Sequence, residues 1–260
     1  MTSAPVRPAE GRVRGEPTPA AIETSMERGT RATACPWWRP PRCAPLAALA
    51  LLAACNPHLE GNGQLLEQDR GVAAFSGIRV SDGLAAHVTI GTPQSVRVFA
   101  DSNLVQFIQT EVDPVTVGTA STQTPVLHVW ASEHIQPTVP PSVVITVPSL
   151  SYVMSEDASA VGVLALASPA LSIEAVGRGE VSVAGLGGDL LEATLTDGSL
   201  DATGYPVGTA QVALSGASRA ELDAGLVTGT ASGTSLIDNL VGSGPCFVTT
   251  AATALVSCHP

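Results

Sequence analysis

Of all the residue pairs in this sequence, two pairs of carboxylates have the spacing that best suits catalysis. Glu221 and Asp223 are two residues apart, which places them on one face of a β-strand at roughly 7 Å, and Asp197 and Asp201 flank a turn. A glycoside hydrolase needs two carboxylates that face one sugar. A polysaccharide lyase uses an Arg or Lys base and bound cations, yet residues 55–260 contain no Lys and five scattered Arg. Because outward positions of a solvated sheet carry charge that discourages edge pairing, we predict no catalytic residues.

The sequence also contains no pattern that predicts a metal site or a cofactor site. Four histidines lack the spacing of metal ligands: His87, His128, His134 and His259. Cys258 and His259 have no Cys-x-x-Cys partner, as a zinc site requires. The segment 185–191, GLGGDLL, loosely resembles a calcium-binding nonapeptide, but those sites need tandem copies. Since no glycine pattern is followed by a helix that could cradle phosphate, we expect neither metal nor cofactor.

A further cysteine stands where an apolar run ends. The run 44–54, APLAALALLAA, has about eleven residues and is too short for a bilayer-spanning helix, which needs roughly twenty. Four arginines precede it, as in an export signal: Arg28, Arg31, Arg39 and Arg42. The motif Leu52-Ala53-Ala54-Cys55 resembles the lipobox of bacterial lipoproteins. The resemblance implies that Cys55 carries a diacylglycerol and becomes the first residue of the mature protein.

Lipidation of Cys55 would attach the protein to a membrane, because two or three acyl chains anchor stably. Residue 56 is Asn and not the Asp that resembles an inner-membrane retention signal, so the outer membrane is favoured if the source is Gram-negative. The alternatives are an ordinary secretory signal with an incidental cysteine, or a buried apolar helix. Translation starts at Met1 or at Met26, which would make residues 1–25 an upstream extension.

Whether the remaining cysteines form a disulfide depends on export. Cys35 and Cys43 would leave with the signal, so Cys246 and Cys258 would remain together in an oxidising compartment. A disulfide between them would fasten the C-terminal segment to the end of the domain; the alternative is two free buried thiols. The predicted organisation is a signal over 1–54, a tether over 55–63, a domain over 64–245 and a C-terminal cap over 246–260.

Charge and composition narrow the function classes. The formal net charge is −11. Residues 55–260 hold five Arg and nineteen acidic residues, or about −14, and such a surface repels phosphate backbones, so nucleic-acid binding is excluded. Aromatic residues make up 3%, with 25 Gly and 20 Pro. This composition favours many short strands joined by tight turns.

The C-terminal half repeats about every twenty residues. Each repeat reads as strand, small-residue turn, strand and glycine, and the closing glycines are Gly185, Gly204, Gly225 and Gly244. One such unit cannot bury its apolar face alone, whereas stacked units can. The periodicity therefore favours a parallel β-solenoid, with an antiparallel β-sandwich as the competing architecture.

The first half shows the same alternation with less regularity. Segments 77–91 and 95–101 read as a hairpin-like run, and 142–155 as further strand. The segment 103–112, NLVQFIQTEV, is the best short helix candidate. The Pro-rich stretch 117–142 reads as irregular.

Three stretches of the first half point to a family: GNG, DRGVAAFSGIRVSDGLAAHVTIG and SVRVFADSNLVQFIQTEV. With the later glycine turns they resemble the head GIN domain of putative autotransporter adhesins (DUF2807), over about residues 61–245. The positions that carry the resemblance are Arg70, Phe75, Gly77, Ile78, Val80, Val88, Asp101, Asn103, Leu104 and Glu111. The resemblance implies an all-β, right-handed parallel β-helix, export or lipid anchoring, a role in adhesion and no established catalytic residues.

We therefore expect a lipid-anchored cell-envelope protein with a non-catalytic β-solenoid that serves in adhesion or binding. The alternatives are a structural or assembly-related envelope protein and a polysaccharide-acting β-helix enzyme. The expected partner is a glycan or an envelope or surface protein. The candidate binding surface consists of outward acidic residues: Glu174, Glu180, Glu192, Asp201, Glu221 and Asp223.

Overall fold

A computed structural model describes residues 58–117, 123–240 and 244–258 of the chain. The predicted export signal, residues 1–54, and the predicted lipidation site, Cys55, lie outside these described residues. The described residues belong to one compact unit, Asn56–Pro260. In this part of the chain, no helix has the length and hydropathy to cross a membrane.

The described residues form β-strands almost throughout. The strands of the first half are Leu59–Glu60 (β1), Leu65–Asp69 (β2), Gly77–Val80 (β3), Ala85–Ile90 (β4), Ser95–Asp101 (β5), Ile108–Thr116 (β6), Gln123–Ala131 (β7), Ile135–Gln136 (β8), Ser142–Val147 (β9) and Tyr152–Ser155 (β10). Those of the second half are Ala160–Ala167 (β11), Ala170–Val176 (β12), Glu180–Thr196 (β13), Ser199–Ser215 (β14), Arg219–Ala224 (β15), Val227–Ala231 (β16), Leu236–Asn239 (β17), Cys246–Thr250 (β18) and Leu255–Cys258 (β19). A 3-10 turn, Val105–Phe107, precedes β6.

Hydrogen bonds arrange these strands in two facing layers. Strands β13 and β14 each bend, so the first half of each belongs to one layer and the second half to the other. Layer A has the order β6, β7, β3, β10, β12, second half of β13, second half of β14, β16 and β18. Layer B has the order β2, β5, β9, β4, β11, first half of β13, first half of β14, β15, β17 and β19. The short strands β1 and β8 pair separately.

The second half is a β-solenoid, which confirms the predicted fold class. The chain makes five turns as it passes through a column of register neighbours in layer A: Tyr152, Ser172, Glu192, Gln211, Thr228 and Phe247. Successive members are separated by one sequence repeat, and the strands they belong to are parallel. The parallel pairing excludes the antiparallel sandwich, and the right-handed sense of the coil stays a prediction.

Strict alternation of small and medium apolar residues explains the thin core between the layers. In β12, Leu171, Ile173 and Ala175 are buried while Ser172 and Glu174 are partly exposed. Later windings repeat this pattern, so a continuous core runs along the solenoid. Burial of each Val, Leu or Ile side chain contributes about 1.5–3 kcal/mol to folding.

Glycine closes the repeats where neighbouring backbones approach most closely. A Cβ built on Gly225 would lie 3.1 Å from the carbonyl oxygen of Gly208, and one on Gly244 would overlap the backbone of Gly225. A side chain at either position would therefore push adjacent windings apart. This close approach is the physical reason for the periodic glycines in the sequence.

The windings of the first half do not stack in chain order. The winding formed by β3 and β4 lies between the winding of β7 and β9 on one side and that of β10 and β11 on the other. The prediction of a hairpin-like run was wrong, because β4 and β5 do not pair and β5 runs antiparallel to β2 and β9. The prediction that 117–142 is irregular was wrong for Gln123–Ala131, which forms β7 and pairs with β6 and β3 in layer A.

The predicted helix at 103–112 was also wrong. Only Val105–Phe107 forms a 3-10 turn, and β6 begins at Ile108. Valine, isoleucine and threonine favour the extended conformation of β6, and its pairing with β7 overrides the weak helical pattern.

The buried carboxylate of Asp101 fastens the N-terminal end. It accepts hydrogen bonds from the backbone N–H groups of Gly63 at 2.6 Å, Thr138 at 2.9 Å and Val139 at 3.1 Å. Nearby, Arg70 donates to the carbonyl oxygens of Val105 at 2.8 Å and Ile108 at 3.0 Å. These side chains therefore hold the entering chain and the loop after β8 against the solenoid.

The C-terminal end is built differently. A disulfide joins Cys246 of β18 to Cys258 of β19, with their Cα atoms 6.3 Å apart. It crosses from layer A to layer B inside the last winding. Among the described residues, β18 pairs only with β16, and β19 only with β17.

Candidate functional site

The outward side chains of layers A and B form two surfaces, here called the A face and the B face. Glu174 and Glu192 lie on the A face, because β12 and the second half of β13 belong to layer A. The other four predicted surface residues lie on the B face: Glu180, Asp201, Glu221 and Asp223. The structure therefore divides the predicted acidic surface between two faces.

A shallow groove runs along the A face. Its volume is about 390 Å³, and its lining includes carboxylate, amide and hydroxyl groups from four successive windings: Ser172, Glu174, Glu192, Thr194, Gln211, Thr228 and Thr230. Adjacent windings are about 4.8 Å apart, the spacing of hydrogen-bonded strands. The groove thus presents hydrogen-bonding side chains at a fixed repeat.

Aromatic side chains lie on the same face, nearer the N-terminal end. The rings of His128 and Trp130 stack with centroids 4.4 Å apart and an interplanar angle of 25°. Both project outward from β7, whose alternate residues Leu127 and Val129 are buried in the core. The stacked pair gives the A face a flat apolar surface beside its polar groove.

Charged groups lie between the aromatic pair and the groove. Arg79 donates to Glu156 at 2.6 Å, and in the register Arg79 is the neighbour of both His128 and Met154. Burial, and then the positive charge of Arg79, lower the pKa of His128 from its usual 6.5. His128 is therefore neutral at neutral pH, when its ring stacks on Trp130.

Tyr152 joins this charged cluster to the groove. Its hydroxyl donates to Met154 Sδ at 3.2 Å, and burial together with the adjacent Glu174 carboxylate raises the pKa of the phenol. A Cβ on Gly77 would lie 2.8 Å from Val126 Cγ2 and 3.2 Å from the Tyr152 ring. Glycine at position 77 therefore leaves the space in which the tyrosine ring packs.

The B face carries a ladder of carboxylates. Asp201, Glu221 and Asp238 are register neighbours on three successive windings. Arg219 forms an ion pair with Glu221, and Asp201 accepts hydrogen bonds from the backbone N–H of Thr203 at 3.1 Å and its hydroxyl at 2.7 Å. Part of the ladder is thus engaged in local contacts.

Within residues 58–117, 123–240 and 244–258, no group of three or more His, Cys, Asp and Glu side chains is arranged to hold a metal ion. Glu221 and Asp223, the carboxylate pair whose spacing was considered for a hydrolase, lie on the B face with both side chains half-buried. Of that pair, Glu221 is held by Arg219.

Sequence reasoning missed the aromatic and charged residues of the A face: Arg79, His128, Trp130, Tyr152 and Glu156. The signal for two of them was present in LHVWA, residues 127–131, where apolar and aromatic positions alternate with period two. The prolines of the flanking stretch hid this strand. The cross-winding contact between Arg79 and Glu156 joins residues 77 positions apart, and no local pattern reports it.

The fold and the two faces can now be compared with known proteins. Residues 74–240 match the family described as putative auto-transporter adhesin, head GIN domain. The chain belongs to this family. No curated protein matches the chain.

Solved structures resemble this head GIN domain protein. A crystal structure of a putative adhesin from Bacteroides fragilis is 14% identical, covers 77% of this chain and 100% of its own, and has a TM-score of 0.56, which shows the same fold. A putative adhesin from Parabacteroides merdae is 16% identical, with coverages of 78% and 99% and a TM-score of 0.46. A putative lipid binding protein from Parabacteroides distasonis is 13% identical, with coverages of 78% and 100% and a TM-score of 0.48.

Proposed function

We propose that this chain is a lipid-anchored adhesin of the cell envelope that binds glycans through the A face without catalysis. The observation that carries the proposal is the placement of the stacked pair His128 and Trp130 on the same rigid face as the polar groove. An aromatic ring packs against the apolar side of a sugar, and carboxylates, amides and hydroxyls bond its hydroxyl groups. Membership in a family of putative adhesins supports the same function.

Repetition makes weak contacts useful on such a surface. The groove offers similar hydrogen-bonding groups on successive windings, so a polymeric glycan could engage several of them together. A rigid sheet loses little conformational entropy when it binds. Because residues 55–260 carry five Arg and nineteen acidic residues, or about −14, neutral glycans bind more readily than anionic ones unless a divalent cation bridges the charges.

A pair of matched double variants tests the role of the A face. The soluble chain beginning at Asn56 is passed over immobilised neutral and acidic glycans, with and without a chelator. Glu174→Gln combined with Glu192→Gln removes two carboxylates from the A face, and Glu221→Gln combined with Asp223→Asn removes two from the B face. We expect the A-face variant and Trp130→Ala to lose at least about fivefold in retention, which corresponds to about 1 kcal/mol, while the B-face variant binds like the wild type.

The same samples distinguish the alternative functions. Release of sugar products that is abolished by Glu221→Gln with Asp223→Asn would establish a hydrolase and refute the non-catalytic proposal. Retention that follows the B-face variant would place binding on the other layer. Absence of retention on every glycan would favour a structural envelope protein.

A further inference from the structure

The strand edges at the two ends of the solenoid differ in the charge and proline that they carry. At the N-terminal end the outermost strands among the described residues are β6 of layer A, which pairs with β7, and β2 of layer B, which pairs with β5. Strand β6 carries Glu111, Asp113 and Pro114, and β2 carries Glu67 and Asp69. Charges and proline on an edge strand discourage pairing with another chain, so strand pairing is disfavoured at this end, although Leu65 and Leu66 of β2 are exposed.

The edge strands at the C-terminal end, β18 and β19, carry none of these devices. No residue between 239 and 258 is charged, although the rest of the mature sequence is strongly acidic. Phe247 and Leu255 are 68% and 66% exposed. Val248 and Val256 are only half-buried, because no further winding among the described residues covers them.

The backbone of both edge strands has hydrogen-bonding positions on the open side. Ala251 N–H donates to Ala231, and Leu255 N–H donates to Ser235. Alternate residues of a strand direct their N–H and C=O groups to opposite sides. Val248 and Thr250 in β18, and Val256 in β19, therefore direct these groups away from the solenoid.

We propose that the C-terminal end binds a second copy of this chain, end to end, about a two-fold axis normal to both layers. Strand β18 then pairs antiparallel with its counterpart at Val248, and β19 pairs with its counterpart at Val256. Both layers continue without a break from one copy into the other. The contact is isologous and closes at two copies.

Geometry and charge identify the partner as a second copy. The Cys246–Cys258 bridge fixes the separation of the two edges, and an identical chain presents two edges at that same separation. Asp238 in β17 is the nearest charged residue, one strand inside the edge. Three strand spacings, about 14 Å, separate it from its counterpart, which exceeds the screening length of about 8 Å at physiological salt.

The experiment measures mass against concentration for the soluble chain from Asn56 by sedimentation equilibrium. We expect a monomer–dimer equilibrium whose Kd decreases as salt is raised, since added salt screens the repulsion between two acidic bodies. Leu255→Glu is expected to weaken association at least about tenfold, or about 1.4 kcal/mol. Leu186→Glu makes the same change at a residue that is 85% exposed far from the end, and it leaves association unchanged.

Thr250→Pro tests backbone pairing directly, because it removes an N–H on the open side and leaves the bonds to β16. It is expected to give a monomer that retains the β-sheet circular dichroism spectrum and the disulfide. Amide exchange provides a second measurement: the N–H groups of Val248, Thr250 and Val256 should exchange more slowly as concentration rises.

Several results would overturn the proposal. These are a monomer at every accessible concentration, a dimer that persists in Leu255→Glu, or growth beyond two copies. If Thr250→Pro does not fold, Leu255→Glu and the amide exchange pattern decide the question. Slow exchange only in the presence of envelope extract would assign the edge to another protein.

Discussion

Single residues carry the proposed membrane anchor and the contacts that hold the N-terminal end of the solenoid together. Cys55 follows an apolar run and is proposed to carry the lipid, whereas Asp101 is wholly buried and holds three backbone N–H groups by its two oxygens. Each role depends on one side chain in one place, so each can be tested by one substitution.

The first prediction concerns the anchor. Cells expressing the full chain are labelled with a radioactive fatty acid, and Cys55→Ser should abolish incorporation because no thiol remains at the lipobox position. Cys43→Ser is the matched control, since Cys43 would leave with the signal, and it should retain the label. Equal labelling of wild type and Cys55→Ser would contradict lipidation at this residue.

The second prediction concerns the buried carboxylate at the N-terminal end. Asp101→Ala removes the acceptor of three part-buried hydrogen bonds, from the N–H groups of Gly63, Thr138 and Val139, and a hydrogen bond to a charged group contributes about 1.5–3 kcal/mol. We expect the free energy of unfolding to fall by about 3 kcal/mol or more, measured by urea denaturation. Asp113→Ala, at an exposed position, should change it by less than about 0.5 kcal/mol.

The third prediction concerns pH. The lowered pKa of His128 means that the folded state disfavours the proton, so its contribution to stability is present above the unfolded pKa of about 6.5 and is lost as pH falls through the folded value. NMR titration should give a midpoint for His128 below that of the urea-unfolded chain. Arg79→Gln should raise that midpoint, because it removes the adjacent positive charge. An unchanged midpoint would show that Arg79 does not act on the imidazole.

At the scale of elements, the last winding depends on its covalent bridge. The fourth prediction is that Cys246→Ser with Cys258→Ser lowers the free energy of unfolding by about 3 kcal/mol, the entropic value for a loop of this length. Non-reducing peptide mapping should find the two cysteines in one linked fragment of the wild type. Two alkylatable thiols in freshly prepared material would contradict the bridge.

The sequence predicted those elements whose neighbours are close in the chain. Between positions 171 and 244 each strand pairs with the equivalent strand of the adjacent repeat, so alternation and periodic glycines report both the strands and their stacking. The pairing of β5 with β9 could not be predicted from the sequence. Strands β4 and β9 show the same alternation of apolar and polar residues, so this pattern does not tell which of them pairs with β5. The A-face cluster was missed for the same reason: Arg79, His128 and Tyr152 come from three strands that only the stacking brings together.

At the scale of the whole molecule, position on a layer matters more than the type of residue. The six predicted surface carboxylates share a chemistry, yet Glu174 and Glu192 project from the layer that carries the aromatic pair while the other four project from layer B. Two variants with identical changes of charge can therefore be expected to behave differently in binding. An end-to-end dimer about an axis normal to the layers would leave both A faces on one side.

The interleaved first winding has a consequence for the order in which the domain folds. Gly77 has register neighbours at Val126 and Tyr152, so β3 can pair only after strands much later in the chain have come close to it. Each later winding pairs with the winding that precedes it by one sequence repeat. Closing the long early loops costs entropy before any contact repays it. We expect the windings of β3, β4, β7 and β9 to form the rate-limiting nucleus, from which the rest assembles by local steps.

Two matched valine truncations test this order of events. Val143→Ala lies in the nucleus and should chiefly slow refolding, whereas Val212→Ala lies in a later winding and should chiefly accelerate unfolding; both side chains are buried. Stopped-flow mixing with urea, with the disulfide intact, measures both rates. The reverse pattern would mean that the repeats form first and that the early windings dock onto them.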